Sequence, residues 1–535
     1  MSRKSLPLHQ TLDHEFPIEY KNVIDLFTCQ KEKKPSKIFV NFPGEQDIVF
    51  SYALFHSSFT KVSNFLLKLG LKQYDRINII FSNSAEFLLF YFAGLSIGVT
   101  IVPINPDLEK EEIYYIIKDS CSKAVFFEKS VEQKLNPIKT PSFVEPILFC
   151  VSSLDEMIND HLIILESKLT VNFEVSLTDE AVIIYTSGTT GNPKGVVLSH
   201  LNLLADAKAI SDWFDFSEKT VTLCVLPLFH NNGQITTLLA PLYAGGSTVI
   251  VKGKSSLLAF WKLVLDYEVN WTSVMSSILS IILSLPYDRK DKTLAGILCG
   301  GQVLTRSVQS QFEKRFNVPI FEGYGLTETT SFSCINDFPA DKRRPGSIGH
   351  PLNCNKMAIM DENCNKLESN QEGEICIKGY NVAIEYLDLP NKNKSSFKEG
   401  WFHSGDYGFI DEEGYFFFNG RKDSLIIKGG ENIYPAELEN IIYKHPEVDE
   451  CAVIGIPDKL LGEEICAFVD CKEAEITGEE IIIFCRGKIA SYKLPKFVFL
   501  INVLSNLSEI PKGPTKKVLY RELLDYYSNY LNGSN

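Results

Sequence analysis

The chain has 535 residues, 45% of them hydrophobic, and a formal net charge of -14 at pH 7. A chain of this length exceeds the size at which a single core keeps growing, so we expect at least two packed units. The acidic balance and the lack of a long basic stripe exclude nucleic acid as the expected partner. Any bound polyphosphate must therefore be held by a local group of residues.

The thirteen cysteines are scattered from Cys29 to Cys485 and include no C-x-x-C pair. An odd number of cysteines without paired spacing is typical of reduced thiols in the cytosol. The first residues, MSRKSLPLHQTLDHEF, lack the apolar stretch of a secretory signal. We therefore expect a cytoplasmic protein that is not exported.

Residues 87–104 (FLLFYFAGLSIGVTIVPI) carry no charge and are long enough to resemble a membrane span. Glycine and proline interrupt this segment, so we interpret it as a buried helix to about Gly94, a turn and a strand over 99–102. Neither flank is predominantly basic, which disfavours the membrane alternative. We expect no integral membrane segment.

Short β-branched runs alternate with longer helical patterns through the first 350 residues, which predicts parallel sheets covered by helices. The strand-like runs include 76–81, 181–185, 221–226 and 247–251, and helical spacing is clear in 257–267 and 305–316. After Pro345 the pattern changes to short strands with acidic, Gly-rich turns. A small α/β unit then begins near residue 421.

Residues 185–200 (YTSGTTGNPKGVVLSH) form the strongest local signal, a strand that leads into a loop rich in Gly, Ser and Thr with one Lys. Glycines let backbone N–H groups surround a phosphate, hydroxyls donate further hydrogen bonds, and the lysine supplies a mobile charge. The loop is not a Walker loop, because two residues separate its last glycine from the lysine. The pattern predicts polyphosphate binding.

The same stretch resembles the signature of the adenylate-forming superfamily, which includes acyl-CoA synthetases, adenylation domains of peptide synthetases and firefly luciferase. Further motifs follow in that superfamily's order, namely PLFH (227–230), GYGLTE (323–328), WFHSGD (401–406), GRKD (420–423) and KGGENIYP (428–435). The resemblance covers most of the chain from about residue 40 onward.

The resemblance implies an α/β fold in two domains. The first, residues 1–422, would be a large N-terminal adenylation domain with helix-covered β-sheets plus a β-barrel-like subdomain. The second, residues 423–535, would be a small mobile α+β C-terminal domain, with the hinge at about Asp423.

The resemblance also implies which residues bind ATP and AMP. They are Thr186, Ser187, Gly188, Thr189, Thr190, Gly191, Lys194, Gly301, Gln302, Tyr324, Gly325, Asp406 and Arg421. Tyr324 is expected against the adenine ring, together with Gly301 and Gln302. Many relatives carry a proline where Val303 stands here.

Four of these motif residues have implied roles at the phosphates and the ribose. Glu328 would coordinate Mg²⁺, for which carboxylate oxygens are suitable ligands, while Thr327 meets the α-phosphate. Asp406 would accept hydrogen bonds from both ribose hydroxyls. Arg421 would assist from the edge of the domain junction.

Lys517, in the segment PKGPTKK (511–517), resembles the terminal lysine motif of the superfamily. The reaction that the resemblance implies begins when a carboxylate attacks ATP. This first half-reaction brings two anions together, so it needs a fixed cation between them. Most relatives have a glycine directly before this lysine, where Lys516 stands here. Which of the two lysines points inward is therefore open, and Lys517 is the expected catalytic residue.

The second half-reaction transfers the acyl group to a thiol. By resemblance, Asp423 is the hinge about which the C-terminal domain moves. Lys428, Gly429 and Gly430 would line a tunnel for the pantetheine arm of coenzyme A (CoA). His230 would lie at the inner end of this tunnel, where it gates access or contacts the acyl carbonyl; a core histidine is the alternative.

The segment after PLFH, residues 231–235 (NNGQI), lacks the aspartate that pairs the substrate ammonium in relatives acting on amino acids. An amino acid substrate is therefore disfavoured. Asn231, Asn232 and Gln234 could hydrogen-bond a small or polar acyl group, or they could cap a helix start.

The expected activity is ATP-dependent activation of a carboxylic acid to an acyl adenylate, followed by thioester formation with CoA. Mg²⁺ is the expected metal ion. One alternative is a stand-alone adenylating enzyme that loads a carrier protein. A more distant one is a catalytically silent nucleotide-binding regulator.

Overall fold

The computed structural model describes residues 6–44, 47–135, 146–151, 169, 173–186, 193–302, 304–429, 431–471, 476–504, 507–512 and 518–531. The chain divides into two compact units. The first comprises Met1–Leu304, Gln311–Met357 and Cys376–His403, and the second comprises Thr305–Ser310, Ala358–Ile375 and Ser404–Asn535.

The first unit contains a sheet with nine strands among its described residues. Their order across the sheet is His350–Pro351, Cys334–Ile335, Ile320–Tyr324, Gly296–Cys299, Trp271–Val274, Val221–Cys224, Ser247–Ile250, Ile38–Phe42 and Ile48–Ser51. The central strands pair in parallel and the edge strands pair antiparallel. The strands predicted at 221–226 and 247–251 are thus neighbours in a mainly parallel sheet.

A second sheet of the first unit has seven strands within the described ranges. Their order is Glu385–Tyr386, Lys194–Ser199, Glu180–Thr186, Thr100–Pro103, Arg76–Ile80, Ala124–Glu128 and Ile147–Val151. The strands from Glu180 to Val151 in this order pair in parallel, whereas the first two pairings are antiparallel.

Helices connect these strands, as the alternating pattern predicts. In the first unit they are Val23–Lys33, Tyr52–Lys68, Ala85–Ser96, Lys110–Asp119, Glu132–Leu135, His200–Trp213, Asn231–Gln234, Ala240–Tyr243, Phe260–Asp266, Ser276–Ser284 and Pro390–Ser396. Helix Arg306–Phe316 begins in the second unit and ends in the first. Within the predicted helix 257–267, a 3₁₀ segment, Lys254–Ala259, precedes the α-helix.

The segment that resembled a membrane span folds as predicted. Ser84 caps the helix Ala85–Ser96 by accepting a hydrogen bond from the backbone N–H of Phe87, and the strand Thr100–Pro103 follows after a turn. The helix is buried nearly all round, and a Cβ added to Gly94 would lie 2.4 Å from Ile101 Cδ1. Close packing of helix on strand therefore accounts for the apolar run. No helix in the described part of the chain has both the length and the apolar character that a bilayer span requires.

Five strands between Asn355 and Arg421 form a third sheet, which belongs to the predicted strand-rich subdomain. Within the described residues its order is Asn355–Met360, Gly373–Gly379, Trp401–Ile410 and Phe397–Lys398, with Phe416–Arg421 also paired to Trp401–Ile410. The division into units cuts through the strands Asn355–Met360, Gly373–Gly379 and Trp401–Ile410.

The end of the chain folds as a small α+β part of the second unit. Its sheet, as far as the structure describes it, has the order Glu431–Ile433, Ile426–Lys428, Gly462–Cys471 and Val448–Asp458, with Phe497–Leu500 beside Gly462–Cys471. The helices are Pro435–Ile442, Gly478–Cys485 and Tyr520–Leu531. Ile426, Leu438, Val453, Ile465 and Ile481 form its core. The α/β class is confirmed, while the hinge at Asp423 and the division at residue 422 stay predictions.

Candidate adenylation site

The phosphate loop lies between two paired strands of the seven-stranded sheet. Thr186 ends the strand Glu180–Thr186, Lys194 begins the strand Lys194–Ser199, and the two residues are direct cross-strand partners. Ser199 and Asn202 then cap the helix His200–Trp213 reciprocally. The strand before the loop is as predicted, whereas the second strand, which separates the loop from the helix, was not predicted.

The predicted loop residues Ser187, Gly188, Thr189, Thr190 and Gly191 lie outside the described residues. Their proposed contacts with phosphate therefore stay predictions.

The GYGLTE segment forms a tight turn at the end of the strand Ile320–Tyr324. A Cβ on Gly325 would lie 1.6 Å from the carbonyl oxygen of Ser331, so only glycine fits there. Thr327 opens the 3₁₀ turn Thr327–Thr329, and Thr330 follows with a φ of 66°. This turn leaves the side chains of Thr327 and Glu328 half-buried.

Two hydrogen bonds hold Glu328. One comes from the short strand Glu385–Tyr386, and the other comes from the segment just before that strand. The backbone N–H of Ala383 donates to the carbonyl oxygen of Glu328 over 2.8 Å. The hydroxyl of Tyr386 donates to Glu328 Oε1, also over 2.8 Å. The sequence reading missed Tyr386, because no local pattern marks it and its partner is distant in the chain.

A buried carboxyl group also contacts the backbone that follows this turn. Asp206, on the helix His200–Trp213, is fully buried, and the side chain of Asn381 donates to its Oδ1 over 3.4 Å. Burial raises the pKa of Asp206 well above its ordinary value, although bonds from Asn381 and from the backbone of Ser331 and Phe332 oppose this shift. The Asn381 amide also donates to the carbonyl oxygens of Thr329 and Phe332. No motif pointed to either residue.

Gly301 and Gln302 lie at the same sheet edge as Tyr324. They follow the strand Gly296–Cys299, which pairs in parallel with Ile320–Tyr324, so both segments leave the sheet at carboxyl ends of strands. Gly301 has a φ of 83°, and Gln302 Oε1 accepts a hydrogen bond from the backbone of Ser277 over 3.4 Å. Ligands of open α/β sheets bind at this kind of edge.

The PLFH segment meets the GYGLTE turn. His230 precedes the helix Asn231–Gln234 without capping it through its side chain, and its ring lies 4.7 Å from that of Phe229. The side-chain amide of Asn231 donates to the carbonyl oxygen of Thr330. This bond joins two motifs that are about a hundred residues apart in sequence.

The side-chain oxygens of Asn231, Asn232 and Gln234 are buried and have no hydrogen-bond partner among the described residues. Gln234 donates its amide nitrogen to the carbonyl oxygen of Leu228 over 2.7 Å. None of these three side chains caps the helix start in the described structure. Capping of the helix therefore does not account for these three polar side chains.

Asp406 and Arg421 face each other in the second unit. They are cross-strand partners on Trp401–Ile410 and Phe416–Arg421, and Arg421 Nε lies 3.1 Å from Asp406 Oδ1. Ser404 Oγ accepts from the backbone of Asp406 over 3.0 Å, and Gly405 has a φ of 73°. The two residues predicted to hold the ribose are thus adjacent.

Lys428, in the expected CoA tunnel, forms an ion pair of 2.5 Å with the buried Glu464. Gly429 has a φ of 61°, and its N–H donates to the carbonyl oxygen of Leu461 over 2.8 Å. Asp423 lies in the 3₁₀ turn Lys422–Ser424. Gly430 and the side chain of Asp423 lie outside the described residues.

The expected catalytic lysine, Lys517, also lies outside them. The chain on either side is held together, because Lys512 and Val518 form an antiparallel bridge. The N–H of Leu519 donates to the carbonyl oxygen of Pro511 over 2.8 Å. The two ends of the segment that contains Lys516 and Lys517 are therefore held close together.

Comparison with known proteins agrees with these features. The model of the AMP-binding enzyme family matches residues 27–387, and that of the AMP-binding enzyme C-terminal domain matches residues 437–508. The oxalate–CoA ligase of Arabidopsis thaliana is 33% identical over 470 residues, which cover 86% of this chain and 89% of that protein.

Two further relatives align over nearly their whole length. The crotonobetaine/carnitine–CoA ligase of Citrobacter koseri is 32% identical over 94% of this chain and 99% of its own. The structure of ATP-bound MatB from Rhodopseudomonas palustris has a TM-score of 0.86 and 28% identity over 95% of this chain and 99% of that one. The chain therefore belongs to the AMP-binding enzyme family, in which it is an acid–thiol ligase of the CoA ligase kind.

Proposed function

We propose that this ligase activates a small polar carboxylic acid with ATP at the edge of the nine-stranded sheet and transfers the acyl group to CoA. The observation that carries this proposal is the contact between the PLFH and GYGLTE segments, in which Asn231 bonds to Thr330. The bond is made one residue after His230, which is proposed to meet the acyl group, and two residues after Glu328, the proposed metal ligand at the phosphates.

In the first step a carboxylate oxygen of the acid attacks the α-phosphorus of ATP, and pyrophosphate leaves with the bonding electrons. In the second step the sulfur of CoA attacks the acyl carbonyl carbon, the thiol proton is lost, and AMP leaves. Neither step needs a protein nucleophile. Positioning of the two reactants contributes about 7–11 kcal/mol in such reactions.

Glu328 is the proposed ligand of Mg²⁺. Its half-buried carboxylate offers the oxygen donor that this hard cation prefers, so the residue fits the ion. When bound, Mg²⁺ neutralises charge that develops on the phosphates. Thr327 would hydrogen-bond the α-phosphate, and Lys517 would place a positive charge between the acid and ATP.

The remaining proposed contacts with the nucleotide are those to its adenine and to its ribose. Tyr324, Gly301 and Gln302 would hold the adenine, because they leave neighbouring parallel strands at one edge. Asp406 would accept hydrogen bonds from the ribose, and its ion pair with Arg421 orients its carboxylate.

CoA is the proposed thiol, because the relatives named above are CoA ligases. Lys428 and Gly429 would line its path. The Lys428 ammonium is already paired with Glu464, so a contact with CoA would share or replace that ion pair. None of the thirteen cysteines, all of which lie in the described part of the chain, forms a disulfide, which supports the proposed cytoplasmic location.

The acid is proposed to be small and polar. Asn231 and Gln234 donate their amide nitrogens to backbone carbonyls, which fixes their oxygens as acceptors. A buried acceptor left without a partner costs about 1–3 kcal/mol, so a ligand or water that donates to it is favoured. Carnitine, in the name of one relative, carries a hydroxyl that can donate such a bond, whereas oxalate, in the name of the other, offers only acceptors at neutral pH. These features favour an acid with a polar substituent over a long alkyl chain.

The test is acid-dependent pyrophosphate release and CoA thioester formation with oxalic, malonic, succinic, 3-hydroxybutyric, hexanoic and octanoic acids. We expect 3-hydroxybutyric acid, whose hydroxyl can donate to a buried acceptor, to have the highest kcat/KM. Asn232→Leu, which keeps the side-chain size but removes the amide, should shift the preference toward hexanoic acid. Preference of the wild type for octanoic acid would contradict the proposed acid class, and absence of any thioester would contradict the proposed reaction.

A further inference from the structure

The hydroxyl of Tyr386 donates a hydrogen bond of 2.8 Å to Glu328 Oε1. Both residues belong to the first unit, although they are 58 positions apart in sequence. A hydrogen bond to a carboxylate is generally stronger than one between neutral groups. One oxygen of the Glu328 carboxylate is thus given a fixed direction.

Tyr386 is itself held rigidly. Its strand pairs with the strand that follows the phosphate loop, in the register Tyr386 to Val196. Asn393 accepts from the N–H of Tyr386 over 2.7 Å and donates to its carbonyl oxygen over 2.9 Å. The side chain is 5% exposed and packs beside the ring of Phe397. A ring fixed in this way can set the position of a partner.

The main chain around Glu328 is fixed by the same segment. Ala383 bonds to the Glu328 carbonyl, and Thr330 Oγ1 donates to the carbonyl oxygen of Asn381 over 2.7 Å. The segment 381–386 therefore holds the turn through its backbone at Glu328 and at Thr330. The Tyr386 hydroxyl instead bonds to the Glu328 side-chain carboxylate, which is the proposed metal ligand.

We propose that Tyr386 is a positioning residue that orients the Glu328 carboxylate for the metal ion of the nucleotide. The hydroxyl occupies Oε1 and directs the carboxylate so that its other oxygen can bind the ion. The inference rests on the proposed metal role of Glu328. Groups that hydrogen-bond a metal ligand typically change metal affinity by about 10- to 100-fold when they are removed.

The experiment measures Mn²⁺ affinity by electron paramagnetic resonance in the full-length enzyme with α,β-methylene-ATP, which does not turn over at this bond. Tyr386→Phe removes only the hydroxyl. We expect Mn²⁺ binding about 10- to 100-fold weaker than in the wild type, with a raised Mg²⁺ requirement in pyrophosphate release. Thermal unfolding shows whether the variant keeps its fold.

Tyr52→Phe is the matched control. Tyr52 is also fully buried, and its hydroxyl donates one hydrogen bond of 2.7 Å to the carbonyl oxygen of Gly246. This substitution also removes one buried hydroxyl, but at a position that does not bond to Glu328. It should lower thermal stability to a similar extent and leave Mn²⁺ affinity unchanged.

A double-mutant cycle with Glu328→Gln separates the possible results. If Tyr386→Phe weakens Mn²⁺ binding in the wild type but has no further effect beside Glu328→Gln, the proposal is supported. If Glu328→Gln weakens binding and Tyr386→Phe does not, the metal site stands and the positioning role is overturned. If neither variant changes Mn²⁺ affinity, Glu328 is not the metal ligand and both the inference and that part of the proposed function fail.

Discussion

Arg421 and Asp406 are cross-strand partners whose side chains form an ion pair of 3.1 Å, with Asp406 almost fully buried and the Arg421 side chain 44% exposed. Arg421 therefore orients the Asp406 carboxylate while its own side chain remains partly exposed. An acceptor of this kind suits a vicinal diol, which donates two hydrogen bonds.

We predict that Asp406→Ala raises the KM for ATP by about 10- to 100-fold, because hydrogen bonds to a charged group contribute about 1.5–3 kcal/mol. The measurement is pyrophosphate release with ATP, 2′-deoxy-ATP and 3′-deoxy-ATP. The wild type should use both deoxy analogues poorly, and the variant should treat all three nucleotides nearly alike. Equal discrimination by the two proteins would rule out ribose recognition by Asp406.

Lys517 and Lys516 form a natural pair of variants. We predict that Lys517→Ala reduces acid-dependent pyrophosphate release by about 100- to 1,000-fold, the usual effect of removing one group that stabilises developing charge. Lys516→Ala should change it little. Because the lysine acts in the first step, Lys517→Ala should still make thioester from added acyl adenylate and CoA. A large effect in Lys516→Ala with a small one in Lys517→Ala would reverse the assignment.

The first residues of the chain form an N-terminal strap, defined as residues 7–14. His9 Nε2 bonds to the carbonyl oxygen of Ala383 over 2.9 Å, and its ring stacks on Phe397 at 4.3 Å. Gln10 donates to the carbonyl oxygen of Val382 over 2.7 Å. The strap thus lies against the segment that holds Glu328.

We predict that His9→Ala lowers the free energy of unfolding by about 1–3 kcal/mol, since it deletes a buried hydrogen bond and a ring contact. Leu8→Ala, at a side chain that is 72% exposed, is the matched control and should have almost no effect. Urea unfolding of the full chain measures both. The strap would be unimportant for stability if the two variants unfolded at the same urea concentration.

Glu439 should make the second unit sensitive to pH. It accepts from the backbone of Val453 over 2.9 Å, and burial raises the pKa of Glu439 to about 7. The facing groups Tyr443, Cys451 and Tyr520 have a pKa that burial raises above the ordinary value, so they stay neutral in this range.

The folded chain therefore binds a proton at Glu439 between its ordinary pKa of 4.5 and about 7, whereas the unfolded chain does not. Stability should fall as pH rises through this window, by up to about 1.4 kcal/mol per pH unit, and level off above it. Glu439→Gln should remove this slope in urea unfolding between pH 5 and 8. Glu437→Gln, on the same helix but paired with Lys493, should keep it.

The parts of the fold that follow from local pattern could be predicted. The buried run 87–104 was interpreted as helix, turn and strand because glycine and proline divide it, and the helix Ala85–Ser96 and strand Thr100–Pro103 confirm this. The strand Glu180–Thr186 that leads into the loop was predicted from its β-branched run, whereas the strand Lys194–Ser199 after the loop was not. Motifs gave the remaining site residues by resemblance.

The residues that support the site could not be predicted, because each acts on a partner far away in the chain. Tyr386 reaches Glu328, Asn381 reaches Asp206, and His9 reaches Ala383 across 374 positions. Nothing in the neighbouring sequence of these residues distinguishes them from ordinary core positions. Only the pairing of the strands Glu385–Tyr386 and Lys194–Ser199 brings the first contact into place.

The central claim is that the acid is activated as an acyl adenylate. It is tested most directly by supplying the best acid of the panel with ¹⁸O in its carboxylate, together with ATP and CoA, and analysing the products by mass spectrometry. Attack of the carboxylate on the α-phosphorus predicts one ¹⁸O atom in the AMP and none in the pyrophosphate. Formation of ADP with ¹⁸O in inorganic phosphate would contradict the account.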